Sequence, residues 1–363
     1  MKIFHCDHCN QPIFFENVHC LSCNHALAFL PDLEVVGSLQ AVEGGAYESP
    51  IPAAGGHRYR LCENYNGANV CNWAVLADDP NPLCRSCRLT RVIPDLGQPG
   101  RPEAWYRLEV AKRRVVYSLL SLGLPLQNTI EDPQRGLAFE FLADADAPGG
   151  ARVLTGHSDG VITIDVAEAD GAEREARRLQ LHEPYRTLLG HFRHEIGHYY
   201  WDRLIQNSER IEAFRQVFGD ERVRYEDALK RHYDQGAPPD WQERFVTAYA
   251  SSHAWEDWAE TWAHYLHMTD NLETAAACGL ALRPLRPDDP SMQPDPRGAP
   301  PTSFDRTIKD WFALTYVLNN LNRGLGLPDG YPFVLPDSVV AKLRFVHDTV
   351  EFVRETSSPP ISG

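Results

Sequence analysis

The sequence predicts an α+β protein of two folded units, a small cysteine-rich amino-terminal unit and a larger, mainly helical one. Eight of the nine cysteines fall within the first 87 residues, a stretch rich in Gly, Pro and Asn with little helical periodicity. The segment Pro94-Asp95-Leu96-Gly97-Gln98-Pro99-Gly100-Arg101-Pro102 then reads as a linker. Beyond it, apolar residues recur at helical spacing through several long runs. These three observations place the units at 1–98 and 99–363.

With 363 residues, 43% of them apolar and 10% aromatic, the chain can bury one or two full cores. Its formal net charge of −15 repels phosphate backbones and anionic lipid, which speaks against nucleic-acid and membrane-surface roles. The start MKIFHCDHCNQ lacks the apolar core of a secretory signal, and no later stretch approaches the roughly 20 apolar residues of a spanning helix. We therefore expect a cytoplasmic protein whose cysteines are reduced, which makes zinc the first candidate for binding them.

Along the second unit, Trp105, Leu108, Val115 and Leu119 mark a helix over 103–122. Residues 137–142 and 161–166 read as short strands. Pro184 suits a first helical turn, and Tyr185, Leu188, Leu189, Phe192, Ile196, Tyr199, Tyr200 and Leu204 carry the helical period through His194-Glu195-Ile196-Gly197-His198. Further helices are expected at 209–218, 224–235, 252–268, 305–323 and 337–353, with a proline-rich loop over 283–301.

In the first unit, Cys6-x-x-Cys9 and Cys20-x-x-Cys23 are two knuckles whose spacing lets two tight turns face one tetrahedral zinc ion. Such an ion stabilises a unit too small to fold unaided. Cys62, Cys71, Cys84 and Cys87 contain one knuckle and form a second expected zinc site. The two sets could also interleave, and His5, His8, His19, His25 or His57 could replace a cysteine. Cys278 reads as an ordinary thiol. Zinc ribbons often touch nucleic acid, but residues 1–98 hold six Lys or Arg against ten Asp or Glu, so a structural or protein-binding ribbon is expected instead.

On a helix, residues i and i+4 share a face, so His194 and His198 can present two imidazoles to one zinc ion. Glu195 then stands beside the metal, placed to act as general base on a zinc-activated water and to pass the proton to a leaving amine. The alternative is an amphipathic helix with two exposed or hydrogen-bonded histidines. The residues after the motif, Tyr199-Tyr200-Trp201-Asp202-Arg203-Leu204, lack the Gly and third His that would continue a metzincin site. The third ligand is therefore sought on a second helix, where Glu256, Glu260 and His264 share one face while Trp258, Trp262 and Tyr265 occupy rows suited to the core. Glu256 is the candidate ligand, and Glu260, one turn on, can hydrogen-bond a ligand imidazole. A solvated acidic face is the alternative for this row.

The segment TAYASSHAWEDWAETWAHYLH resembles the glutamate-zincin segment of anthrax lethal factor and related peptidases. A cysteine ribbon followed by HEIGH and EDWAE resembles the bacterial zinc-binding metallopeptidase family over most of the chain. The resemblance implies a rubredoxin-like zinc ribbon followed by a zincin-like domain, and a gluzincin-type peptidase acting on peptide or protein substrates. It implies zinc ligands His194, His198 and Glu256, general base Glu195, supporting Glu260, and Tyr249 as hydrogen-bond donor to the oxyanion. Tyr249 could equally be a core aromatic. The total is one catalytic and two structural zinc ions. Glu256 lies 58 residues beyond His198, so the intervening architecture need not match lethal factor. Residues 160–166 could be an edge strand that aligns an extended peptide, or an ordinary sheet strand. A metal-bound but inactive scaffold, and an adaptor that binds a protein partner through its ribbon, are the other function classes.

Overall fold

The computed structural model describes residues 1–144, 152–171, 174, 187–293, 303–331 and 334–357. The chain divides into two compact units, one of Lys2–Ser121 with Pro125–Arg174, the other of Glu175–Gly363 with Leu122–Leu124 and Met1.

In the first unit, β1 (Phe4–His5) and β2 (Pro12–Ile13) form a small antiparallel hairpin around the first cysteine knuckle. Next come β3 (Ala26–Leu30), β4 (Val35–Ala41), β5 (Tyr47–Glu48), β6 (Arg58–Leu61) and β7 (Ala74–Leu76), paired in sequence order as an antiparallel sheet. Ala28, Leu30, Leu39, Tyr59 and Ala74 fill its core. The short helix α1 (Glu63–Asn66) begins directly after Cys62. A second sheet has the order β10-β11-β9-β8, built from β8 (Thr90–Val92), β9 (Ala138–Leu142), β10 (Gly156–Ser158) and β11 (Val161–Asp165). Asp159 and Gly160, with φ of 47° and 80°, make the two-residue turn between β10 and β11, the left-handed geometry that matches strand twist. This turn places β10 on the outer side of β11, so of the two alternatives for 160–166, an edge strand or an ordinary sheet strand, β11 is the ordinary interior strand.

Helix α2 (Arg101–Ser121) buries Trp105, Leu108, Val115 and Leu119, the periodic residues of its sequence. Its Arg113 donates to the Val70 carbonyl, and its Lys112 pairs with Glu109 at 2.9 Å, both within the same compact unit. Residues on both sides of 98/99 pack in this unit, where β8 pairs with β9.

The second unit is helical: α3 (Leu188–Leu204), α4 (Ile211–Phe218), α5 (Tyr225–Gln235), α6 (Ala254–Ala277), α7 (Phe304–Gly324) and α8 (Asp337–Ser357). Pro184 and Tyr185 lie outside the described residues. Helix α3 starts after Thr187, whose hydroxyl accepts the Gly190 N–H at 2.9 Å as an N-cap. Helix α6 runs nine residues past its expected end at 268, because Leu272, Ala275 and Ala276 continue its buried row. Of the proline-rich 283–301 loop, residues 294–301 lie outside the described residues. Among the described residues no helix is long and apolar enough to cross a membrane.

Candidate metal centre

Helices α3 and α6 pack unusually closely at Gly197, the glycine of HEIGH. A Cβ there would stand 3.0 Å from the Ala259 Cα and 3.2 Å from the Ala259 carbonyl oxygen. Trp258 Nε1 donates to the Gly197 carbonyl at 2.8 Å and pins the same crossing. Three residues before the crossing and directly after it, each helix carries the polar groups that the sequence marked.

His194, His198 and Glu256 are all buried. His194 Nε2 is 3.1 Å from His198 Nε2 and 3.1 Å from Glu256 Oε2, and His198 Nε2 is 3.5 Å from Glu256 Oε2. Donors about 2.1 Å from a tetrahedral ion stand about 3.4 Å apart, so the three atoms span a triangle of the right size. Glu260 Oε1 lies 2.6 Å from His194 Nδ1. With the ring proton on that nitrogen, the Nε2 lone pair faces Glu256 Oε2, an acceptor with no hydrogen-bond donor of its own. Two buried acceptors 3.1 Å apart repel unless a proton or a metal ion lies between them.

The electrostatics of the cluster favour a cation. Burial opposes ionisation of Glu256, Glu260 and Glu195, yet the surrounding imidazoles hold all three below the usual carboxylate range. Burial likewise disfavours a charged His194, but Glu256 and Glu260 outweigh it and raise that ring well above its ordinary value. A divalent ion satisfies the same charge and replaces the proton. Glu195 Oε1 is 3.2 Å from His191 Nε2, while its Oε2 is buried without a hydrogen-bond partner.

Several residues that shape this cluster were not singled out by the sequence. Tyr225, on α5, donates its hydroxyl to Glu256 Oε1 at 2.6 Å and leaves Oε2 facing the two imidazoles. Thr247 donates to Glu260 Oε2 at 2.8 Å, completing the support of His194. The Trp255 ring lies 3.7 Å from the His198 ring. No short-range periodicity links Tyr225 to Glu256, whereas Trp255 directly precedes that carboxylate and Gly197 sits inside the motif. His264 shares the row of Glu256 and Glu260 but turns to the Tyr331 hydroxyl, at 2.6 Å. Tyr249 is half-buried in a short turn over Tyr249–Ser252, its ring 6.1 Å from that of His194. Trp201, Ile211, Arg222, Tyr225 and Trp255 line a cavity of about 630 Å³ that shares Tyr225 and Trp255 with the cluster.

The cysteines gather as two separate sets. Cys6, Cys9, Cys20 and Cys23 form one, with Cys6 and Cys23 sulfurs 3.6 Å apart and those of Cys9 and Cys20 3.5 Å apart. Cys62, Cys71, Cys84 and Cys87 form the other, buried, with 3.7 Å between the Cys71 and Cys84 sulfurs. Sulfurs about 2.3 Å from a tetrahedral zinc stand about 3.8 Å apart, close to these values. Cys62 Sγ accepts the Cys84 N–H at 3.3 Å, and Cys84 Sγ accepts the Cys87 N–H at 3.4 Å. Hydrogen bonds from its three neighbours hold Cys62 far below a normal thiol, while burial drives Cys71 and Cys84 well up. Four buried thiolates this close together repel one another unless a cation lies between them. Cys278 is exposed and belongs to neither set.

Residues 101–349 match the family model described as "Putative zinc-binding metallo-peptidase", and residues 3–98 match a zinc-ribbon domain. The chain is 44% identical over 361 residues to uncharacterised proteins of Mycobacterium tuberculosis (strains CDC 1551 and H37Rv) and Mycobacterium bovis, covering 99% of this chain and 98% of each relative. No solved structure matches the chain with significance.

Proposed function

The chain therefore belongs to the zinc-binding metallopeptidase family, and from that premise we propose that it is a gluzincin-type peptidase, with His194, His198 and Glu256 holding one zinc ion. The observation that carries this reading is the triangle of His194 Nε2, His198 Nε2 and Glu256 Oε2, two of its acceptors facing each other 3.1 Å apart in a buried site. When bound, zinc supplies Lewis acidity, polarising a peptide carbonyl and lowering the pKa of water. Glu195 is the general base: His191 steadies its Oε1, and Oε2 takes a proton from water and returns it to the leaving amine. Glu260, backed by Thr247, keeps the His194 proton on Nδ1 and the Nε2 lone pair on the ligand side. Tyr225 holds Glu256 so that one oxygen faces the ion. Tyr249 is the donor to the oxyanion, its ring beside that of His194.

The two four-cysteine sets each hold a structural zinc in a ribbon region over 1–98, ahead of the zincin-like domain over 99–363. We read the protein as cytoplasmic, because thiols that bind zinc are kept reduced in that compartment. Its substrates are peptides or proteins, and the ribbon is the surface for any protein partner.

The test is Glu195→Gln. It should abolish cleavage of a broad peptide library while zinc content stays at the wild-type value. Equal cleavage by both proteins would remove Glu195 from the reaction. Absence of cleavage by the zinc-loaded wild type would favour an inactive scaffold.

A further inference from the structure

The cavity of about 630 Å³ beside the metal centre lies wholly within the second unit. Trp201 near the end of α3, Ile211 at the start of α4, Tyr225 at the start of α5 and Trp255 in the first turn of α6 give it three aromatic rings and one aliphatic side chain. Each ring is held by a contact outside the cavity. Trp201 meets the Phe214 ring edge-on at 5.7 Å, Trp255 lies over the His198 ring at 3.7 Å, and Tyr225 is fixed by its hydroxyl on Glu256 at 2.6 Å. The aromatic wall is therefore formed in advance of any occupant.

Charged side chains around the same cavity are already engaged. Arg215 holds Glu221 through two bonds at 2.5 and 3.0 Å, and Arg222 holds Asp220 at 2.7 and 2.9 Å. His253 donates from Nε2 to the Val223 carbonyl at 3.0 Å and accepts the Trp255 N–H on Nδ1 at 3.1 Å. These pairs cancel one another, so what these residues offer an occupant is ring surface rather than net charge. A charged side chain would give up hydration there without gaining a counter-ion from either arginine pair.

We propose that this cavity receives an aromatic side chain of the peptide substrate, at a residue flanking the scissile bond. The proposal rests on the peptidase reading of the metal centre. Trp255 touches His198 and Tyr225 touches Glu256, so a side chain seated against these two rings lies one ring away from the catalytic residues. Ligand sites typically enclose about 300–1,000 Å³, and this cavity falls within that range, with room for a ring and the adjoining backbone. Aromatic pairs prefer offset or edge-to-face contact, which walls of three differently oriented rings supply. Tyr225 and Trp255 thus serve the metal centre on one side and select the substrate on the other.

The experiment follows binding of N-acetyl-L-phenylalaninamide, N-acetyl-L-alaninamide and N-acetyl-L-argininamide to the full chain carrying Glu195→Gln, by ligand-observed NMR. The phenylalanine amide should bind at least about tenfold more tightly than the other two. Ile211→Trp, which puts a further ring into the cavity, should remove that preference; Gln206→Trp, at an exposed lining position, is the second filling variant should the first unfold early. Wild-type cleavage of a broad peptide library should fall at sites with Phe, Tyr or Trp at one fixed position beside the cut. Equal binding of the three amides, tighter binding of the arginine amide, cleavage with no aromatic residue favoured, or a preference that survives filling in a variant that unfolds like the wild type would each overturn the proposal. Selective aromatic binding that filling abolishes, with no cleavage by the zinc-loaded wild type, would keep the cavity as an aromatic side-chain site and overturn the peptidase reading instead.

Discussion

Replacing Tyr225 by Phe tests how the metal centre is held. The substitution keeps a ring at the edge contacts with His253 and Trp255, at centroid distances of 5.4 and 5.6 Å, and removes only the hydroxyl that donates to Glu256 Oε1 at 2.6 Å. A hydrogen bond to a charged acceptor contributes about 1.5–3 kcal/mol, and groups that orient metal ligands typically change metal affinity about 10- to 100-fold. The two ranges agree, since a tenfold change in affinity is about 1.4 kcal/mol. Without Tyr225 the Glu256 carboxylate is free to rotate and offer both oxygens, so the ordered geometry must be recovered at the moment of binding. The assay is competition for zinc between the protein and a chelator of known affinity, on wild type and variant with matching thermal unfolding. We expect zinc affinity at the His194, His198, Glu256 site to fall about 10- to 100-fold. A change smaller than about twofold, in a variant that unfolds like the wild type, would refute the role assigned to Tyr225.

Elemental analysis should find three zinc ions per chain, falling to two in His194→Ala/His198→Ala, and no drop in the variant would count against the site. Gly197→Ala should lower thermal stability, since overpacking costs about 1–3 kcal/mol and helix propensity returns only about 1 kcal/mol; an unchanged melting temperature would show that the helices separate freely. Burial and the nearby Arg193 push His267 down to about 3, so it is neutral in the fold. Its contribution is complete above the unfolded value of about 6.5 and is lost as pH falls from there toward about 3, or about 2 kcal/mol by pH 5. Denaturant midpoints at pH 7 and pH 5 should therefore differ less in His267→Gln than in the wild type, and equal differences would contradict this. Prolonged chelation should unfold the sheet of β3 to β7, which is followed by near-ultraviolet circular dichroism; retention of its signal after removal of all zinc would argue that the cysteine sites are dispensable for folding.

What the sequence determined by itself is local. The i, i+4 spacing of His194 and His198 puts both rings on one helical face wherever the helix is packed, and two Cys-x-x-Cys knuckles curl their own sulfurs into reach. Most helices of the second unit were legible for the same reason, because amphipathic periodicity is written in adjacent turns; the ends of α6 and α8 were set too early, in α6 because the half-buried Thr269, Asp270 and Asn271 interrupt the apolar pattern before Leu272 continues it on the buried side. The row of Glu256, Glu260 and His264 was visible, but its members diverge: Glu256 faces the imidazoles, Glu260 supports one of them, and His264 turns to Tyr331. That division was decided by the close crossing at Gly197 and by partners 13 to 67 residues away in sequence. Tyr225 and Thr247 reach the cluster from an intervening helix and a turn, and β11 lies inside its sheet because the Asp159-Gly160 turn folds β10 over its outer edge. Short-range pattern specifies which side chains a helix or knuckle presents, whereas the identity of the group each one meets depends on long-range packing that a single sequence does not encode in any adjacent spacing.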